Sequence, residues 1–398
     1  MAHPSMRLTR RSALLGLSAS FTAGRWSVAL ASAATQKRFV VVILRGALDG
    51  MSAVVPYGDA DLGLWRASLV PGQPGSEGGL LDLGGFYGLH PALAGLHGMY
   101  RASEMVAVHA VAGPYRVRSH FEAQDYLEFG SDHAMTSGWL NRLASEIPAN
   151  KGAAETALAV GNTVPLVLRG AAPVGSWLPQ SFAQPAPELY ARLLEMHRHD
   201  PVTGPAVREG LKERGFTEAT LANAPGQNGG GGFASLCQNT GRLLAAVDGP
   251  RLAALEIGGW DTHTQQKNRL VAPLRQLDEG MVQLKAGLGA AWRDTTVLVM
   301  TEFGRTVRVN GTGGTDHGTG TVAFVLGGDV QGGRVQADWP GLAQGKLFEN
   351  RDLQPTADLR GVTKGLIGPM FGLDAAALGR VFPQSERAGV MAGLVRRV

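Results

Sequence analysis

The chain of 398 residues has a single cysteine, Cys237, so no internal disulfide can brace it. Its surroundings, FASLCQNTG, read as an apolar helix, which places the thiol in a core. There is no long Lys/Arg run and no basic-aromatic stripe, and this excludes a nucleic-acid partner. The basic pI of about 9.3 arises in one place. Residues 1–33 carry Arg7, Arg10, Arg11 and Arg25 and no acidic side chain, and without them the net charge of +4 falls to about zero. The apolar stretch in that segment is interrupted by Arg25 and is too short to span a bilayer, so an integral membrane protein is not expected. Also missing are a Gly-Lys-Ser/Thr phosphate loop, a Gly-x-Gly-x-x-Gly turn after the first strand, a Gly-x-Ser-x-Gly elbow, and a Cys-x-Pro-x-Arg segment of the kind oxidised to formylglycine.

What is present begins with an address. Thr9-Arg10-Arg11-Ser12 precedes ALLGLSASFTAG, and Ala31-Ser32-Ala33 is a small-residue cleavage site. The pattern is that of a twin-arginine export signal over residues 1–34, which implies the twin-arginine machinery as a partner and a periplasmic or secreted product. The remainder, 35–398, is expected to form one domain. Hydrophobic residues at 44% allow a sizeable core, and 56 glycines point to many loops and tight turns.

Strands and helices alternate along that domain. RFVVVIL (38–44), EMVAVHAVA (104–112), RLAALEI (251–257) and TVLVMT (296–301) read as strands, with helices over 90–101, 119 onward, 136–147, 233–247 and 265–291. Residues 156–161 suggest a further short strand, 57–88 a loop-rich excursion, and about 165–245 a helical insertion. The pattern predicts an α/β fold with a mostly parallel sheet covered by helices on both faces. Continuous apolar runs in the strands fit burial on both sides.

Polar clusters follow the strands. Asp49 comes after the first, Ser119 one loop after the second, and Asp261 with His263 after RLAALEI. Glu302 and Arg305 end the next strand, with Asp316 and His317 in the glycine-rich loop beyond. Carboxylates and imidazoles brought to one rim would repel or go unsatisfied without a cation, so Asp49, Asp261, His263, Glu302, Asp316 and His317 are candidate ligands. Six ligands suffice for one divalent ion or two, zinc, manganese or similar, and two-metal sites suit phosphoryl transfer. Each residue also has a local explanation: Asp49-Gly50 a turn, Asp261 a helix cap, Glu302 a partner for Arg305. Ser119-His-Phe-Glu122 matches a capping box, so its hydroxyl is either a cap or a nucleophile.

In order, the twin-arginine start, RGALDGM, RSHFEAQD, GGWDTH, TEFGRT and GTDHGT resemble the exported bacterial family known as domain of unknown function 1501, which is similar to the alkaline phosphatase-like superfamily of phosphatases, sulfatases and phosphodiesterases. The resemblance implies a three-layer α/β/α sandwich with metal ligands at strand ends. It likens Asp49 to the superfamily's first-strand metal aspartate. It likens Asp261 and His263 to an Asp-x-x-x-His pair, here with one intervening residue. Either Asp316-His317-Gly318 stands for the superfamily's Asp-His-Gly, or Glu302 takes the strand-end position with Phe303 in place of its histidine. Ser119 falls near the nucleophile position, and Arg305 would bind the substrate's anion. The function implied is hydrolysis of small anionic esters, phosphate or sulfate; the alternative is a non-catalytic metal- or anion-binding envelope protein of the same fold.

Overall fold

A computed structural model describes residues 36–147, 156–178, 187–198, 200–201, 203–221 and 232–396. The export signal read over 1–34 and most of the glycine run ending at Gly232 lie outside the described residues. Among those described, no helix is long and apolar enough to cross a membrane.

The domain is built on a nine-stranded sheet. Its strands are β1 (Arg38–Leu44), β2 (Met105–Ala112), β3 (Ala157–Val160), β4 (Val174–Trp177), β5 (Leu252–Ile257), β6 (Thr295–Thr301), β7 (Thr321–Leu326), β8 (Arg334–Gln336) and β9 (Ala357–Asp358). They run in the order β8-β2-β7-β6-β1-β5-β3-β4, and β9 also pairs with β2. Only β7 is antiparallel to its neighbours, β2 and β6.

Alternation along β1 explains the layers. Val40, Val42 and Leu44 face a core shared with α1 (Ala94–Arg101), α6 (Gly232–Ala245) and α7 (Val271–Leu288). Phe39, Val41 and Ile43 face the opposite core, with α3 (Trp139–Glu146) and α8 (Leu359–Phe371). Side chains a residue apart leave a strand on opposite faces, so a strand apolar from Phe39 to Leu44 needs cover on both. The result is a mostly parallel sheet between two helical layers. Cys237 lies fully buried in the first of these cores, where burial pushes its thiol pKa well up.

The interval 165–245 holds a strand as well as the helices its sequence suggests. It contributes β4 to the sheet's edge, and its last helix, α6, lies against α7 as part of the main layer. Two further helices, α4 (Pro187–His197) and α5 (Thr203–Leu221), lie between them in sequence. β4 reads VGSW, too short and too polar for an apolar run to reveal.

Topology now fixes one rim. Strands β1, β5 and β6 are parallel, and Leu44 is level with both Ile257 and Thr301, so their C-terminal ends coincide. β2 is antiparallel to β7, which is antiparallel to β6, so β2 ends on that rim and β7 begins there. Segments after β1, β2, β5 and β6 and before β7 therefore meet, the place where open α/β sheets build sites.

Candidate metal centre

Three imidazoles and one carboxylate converge at this rim. His120 opens α2 (His120–Phe129), Asp261 and His263 follow β5, and His317 precedes β7. One ligand atom from each of His120, Asp261 and His317 lies within 4.8 Å of the other two. Asp261 Oδ1 is 3.0 Å from His263 Nε2, 3.2 Å from His317 Nε2 and 3.5 Å from His120 Nε2. The Nε2 atoms of His263 and His317 are 3.0 Å apart.

Tautomers follow from what holds the other ring nitrogens. His120 Nδ1 donates to Glu302 Oε1 at 2.9 Å, His317 Nδ1 to the Arg118 carbonyl at 3.0 Å, and His263 Nδ1 to Asp316 Oδ1 at 3.3 Å. In its neutral form each ring would carry its proton on Nδ1 and turn the Nε2 lone pair toward Asp261. His120 Nε2 is buried and has no hydrogen-bond partner. Arg305 Nη1 donates to the same Asp261 oxygen at 2.8 Å, and a cation bound among the three Nε2 atoms would satisfy the lone pairs that remain. The donor set suits a divalent transition ion. Ligands about 2.0–2.2 Å from a tetrahedral zinc stand roughly 3.3–3.5 Å apart, close to the four spacings of 3.0–3.5 Å within the cluster. Backing of each ring by a carboxylate or carbonyl is the usual support of a metal-bound histidine.

The electrostatics agree. Burial would raise the Asp261 carboxyl pKa, but the hydrogen bond and charge of Arg305, whose Nη1 donates at 2.8 Å, outweigh it and hold the pKa low. The hydrogen bond to Glu302 raises the His120 pKa, while burial lowers that of His317.

Of the residues read as ligands from sequence, Asp261, His263 and His317 come together here. Glu302 and Asp316 stand one layer behind. Glu302 is 3% exposed and its oxygens are taken: Oε1 by His120, Gln124 and the Gly46 N–H, and Oε2 by the Thr301 hydroxyl. Asp316 accepts from His263 and from Asn310, whose bond lowers its pKa. Asp49 is elsewhere. It is fully buried, ion-paired with Arg66, and accepts from Ser52 and Gln266. It faces no histidine of the cluster, because Arg66, from the short helix Leu62–Arg66, occupies it.

The local explanations fare differently. Glu302 does not pair with Arg305, which is bound to Asp261 instead. Asp261 caps no helix; the next one, Gln266–Arg269, has Gln265 at its cap. Ser119 occupies the N-cap of α2, yet its hydroxyl makes no capping bond, and Glu122 accepts from the Tyr115 hydroxyl at 2.6 Å. His120 is the candidate ligand that sequence reading missed. It shares RSHFEAQD with Ser119, and the capping pattern drew attention one residue too early.

Glycines let the loops close in. Gly46 has φ +120°, and a Cβ there would lie 2.8 Å from the Asp261 N. A Cβ on Gly314 would sit 2.2 Å from the His263 carbonyl, so the two histidine-bearing loops touch backbone to backbone.

A cavity of about 390 Å³ adjoins the centre, lined by Trp65, Arg308, Asn310, Asn350 and Arg351 and sharing Asp316 with it. The Arg308 guanidinium lies 4.9 Å over the Trp65 ring and pairs with no carboxylate among the described residues.

Comparison with known proteins gives the following. A search of curated proteins found no match. Among solved structures, a 2-O GAG sulfatase is similar at 13% identity and a TM-score of 0.38, covering 89% of this chain and 73% of that one. A protein of the alkaline phosphatase superfamily from Vibrio parahaemolyticus is similar at 12% identity and a TM-score of 0.32, covering 76% of this chain. This chain spans 64% of that protein's length, less than two thirds. The C-terminal periplasmic domain of EcEptC from Escherichia coli, in complex with Zn, gives 10% identity and a TM-score of 0.32 over 73% of this chain and 72% of that one. None of these likenesses bears on activity. A family model described as "Protein of unknown function (DUF1501)" matches residues 103–382, well over half of the sequence and most of the rim just described, and the chain belongs to that family.

Proposed function

We propose that the protein is an exported, divalent-metal-dependent hydrolase of phosphate or sulfate esters, with one zinc, manganese or similar ion held by His120, Asp261, His263 and His317. The observation that carries this reading is the set of three imidazole Nε2 atoms 3.0–3.5 Å from one carboxylate oxygen. One ion is favoured over two, since Arg66 occupies Asp49, and Glu302 and Asp316 are engaged in orienting histidines. A divalent ion there would supply Lewis-acid polarisation of an ester oxygen.

The chain's own residues suit the rest. Asp261 is 46% exposed, so the centre opens to solvent and to substrate. Arg308 in the adjoining cavity, with no carboxylate partner among the described residues, favours an anionic ligand, with space for the group the ester carries. Arg305 is fully buried and bound to Asp261, so its work is to keep that carboxylate ionised and in place. Ser119, whose hydroxyl is free of capping at a helix N-terminus, is the candidate nucleophile. The twin-arginine pattern at the start supports export to the periplasm or beyond.

Purified mature protein should carry one equivalent of divalent metal by mass spectrometry, and His120→Ala and His317→Ala should lose it. Wild type without metal ends the reading. A panel of nitrophenyl phosphate mono- and diesters and sulfates then tests turnover. One feature favours a second reading, a metal-binding but non-catalytic protein. Phe303, not a further ligand, packs its ring 4.9 Å from His120 and 5.1 Å from His317. Stoichiometric metal with no turnover of any ester in the panel would select it.

A further inference from the structure

The Asp49 network carries an inference of its own. Asp49, Gln266, Thr262, Thr315, Ser52 and Arg66 are all buried, none more than 6% exposed. Arg66 Nη1 donates to Asp49 Oδ1 at 2.9 Å, and Arg66 Nη2 contacts Oδ2. Ser52 Oγ donates to Oδ2 at 2.8 Å, and Gln266 Nε2 donates to the same oxygen. An ionised carboxylate only accepts, so it dictates which end of the Gln266 amide faces it. The amide oxygen must then point the other way. There it accepts from the Thr262 hydroxyl at 3.0 Å and from the Thr315 hydroxyl at 2.6 Å.

Those two threonines mark the ligand loops. Thr262 lies between Asp261 and His263, and Thr315 directly precedes Asp316 and His317. The loops also meet through the Thr315 N–H to the Thr262 carbonyl at 3.3 Å and the Gln266 N–H to the Gly313 carbonyl at 3.0 Å. Gln265 holds a left-handed conformation, φ +47°, in presenting Gln266 to both. Strain of that kind persists where surrounding bonds over-determine it.

We propose that Asp49 is a positioning residue for the metal centre, acting through Gln266 to set the separation between the Asp261–His263 and Asp316–His317 loops. This rests on the metal reading above, and it gives the carboxylate after β1 a role that reaches the ligand loops through Gln266 and the two threonines. The dictated amide orientation is the mechanism. Asp49 sets Gln266, Gln266 draws both threonines to one oxygen, and the threonines fix two loops whose imidazoles stand 3.0 Å apart.

The test replaces Thr262 and Thr315 by valine together, which removes both hydroxyls at nearly constant shape. Zinc affinity of the folded protein is measured by competition with a chelator, beside the visible spectrum of the cobalt form and stability in denaturant. Support orienting metal ligands is worth about 10–100-fold in affinity, and a loss of that size with an altered cobalt spectrum is expected. The Thr262→Ser/Thr315→Ser pair, which restores the hydroxyls, should recover most of it. A lowered stability with wild-type zinc affinity and cobalt spectrum would overturn the proposal. Should the valine pair not fold, Gln266→Met answers the same question under the same criteria. Wild type that binds no zinc would defeat the metal reading alone. The positioning role would then be judged on crystal structures of the metal-free wild type and variant, where an unchanged His263–His317 separation overturns it.

Discussion

Asp49 and Asp261 follow neighbouring parallel strands and stand on the same rim, yet Asp49 is fully buried against a guanidinium while Asp261 is 46% exposed among three imidazoles. Both have an arginine partner, and both have their carboxyl pKa held low against the effect of burial, by Arg66 and Arg305 respectively. The difference lies in what else reaches them. Around Asp49 every neighbour is a donor: Arg66, Ser52 and Gln266. Around Asp261 the histidines present lone pairs. A carboxylate met only by donors is complete without a ligand, whereas one that also faces imidazole lone pairs leaves room for a cation.

The largest effect should come from breaking the complete site. Arg66→Met leaves the Asp49 carboxylate buried without its charge partner, and such changes cost about 3–5 kcal/mol. Denaturant unfolding should show a loss of that size, and replacing both partners (Asp49→Leu with Arg66→Met) should cost less than Arg66→Met alone. A loss below about 1 kcal/mol would mean that the pair is not sealed from water.

The incomplete site should answer in the opposite way. His317→Ala removes one acceptor from a partly exposed cluster, so stability should fall by about 1 kcal/mol or less. Metal affinity should fall at least 100-fold, equivalent to about 2.7 kcal/mol. Titration of zinc into the metal-free variant checks this. A stability loss as large as that of Arg66→Met, with affinity retained, would reverse the assignment of the two regions.

How legible this contrast was in the sequence depended on range. The apolar runs of β1 and β6 announce strands buried on both faces, and polar residues just past their ends announce a rim. Nothing local, however, tells a ligand from the group that orients a ligand. Glu302 and Asp316 have ligand chemistry, and only the Nδ1 bonds of His120 and His263 reveal that they act from behind. Arg66 lies 17 residues beyond Asp49 in a stretch that reads as a loop-rich excursion, so the partner that closes Asp49 had no sequence signature. His120 did have one. It follows a strand by one loop, as Asp261 and His317 adjoin theirs, but Ser119 and Glu122 offered a simpler local story.

Acid titration should sharpen the comparison further. The folded Asp49 pKa is depressed, so its contribution to stability is fully present above the unfolded value of about 3.9. That contribution is lost as the pH falls below this value toward the folded pKa. Unfolding free energy measured between pH 2 and 6 should therefore drop at the acid end in wild type. The drop should be shallower in the Asp49→Leu/Arg66→Met variant. Parallel curves for the two proteins would show that other carboxylates govern the acid limb.

The smallest expected effect concerns Ser119, where the same distinction between complete and incomplete groups applies to a hydroxyl. A serine that caps a helix contributes roughly 1 kcal/mol, because it satisfies an N–H that otherwise goes without a partner. The Ser119 hydroxyl makes no such bond, so Ser119→Ala should change stability by no more than about 0.5 kcal/mol in thermal or denaturant unfolding. Its consequence should appear in turnover, since a hydroxyl with no structural employment beside His120 is one that chemistry can use. Were Ser119→Ala to cost a full cap's worth of stability and leave ester hydrolysis intact, Ser119 would join Asp49 among the completed groups, and the nucleophile would have to be sought elsewhere on the rim.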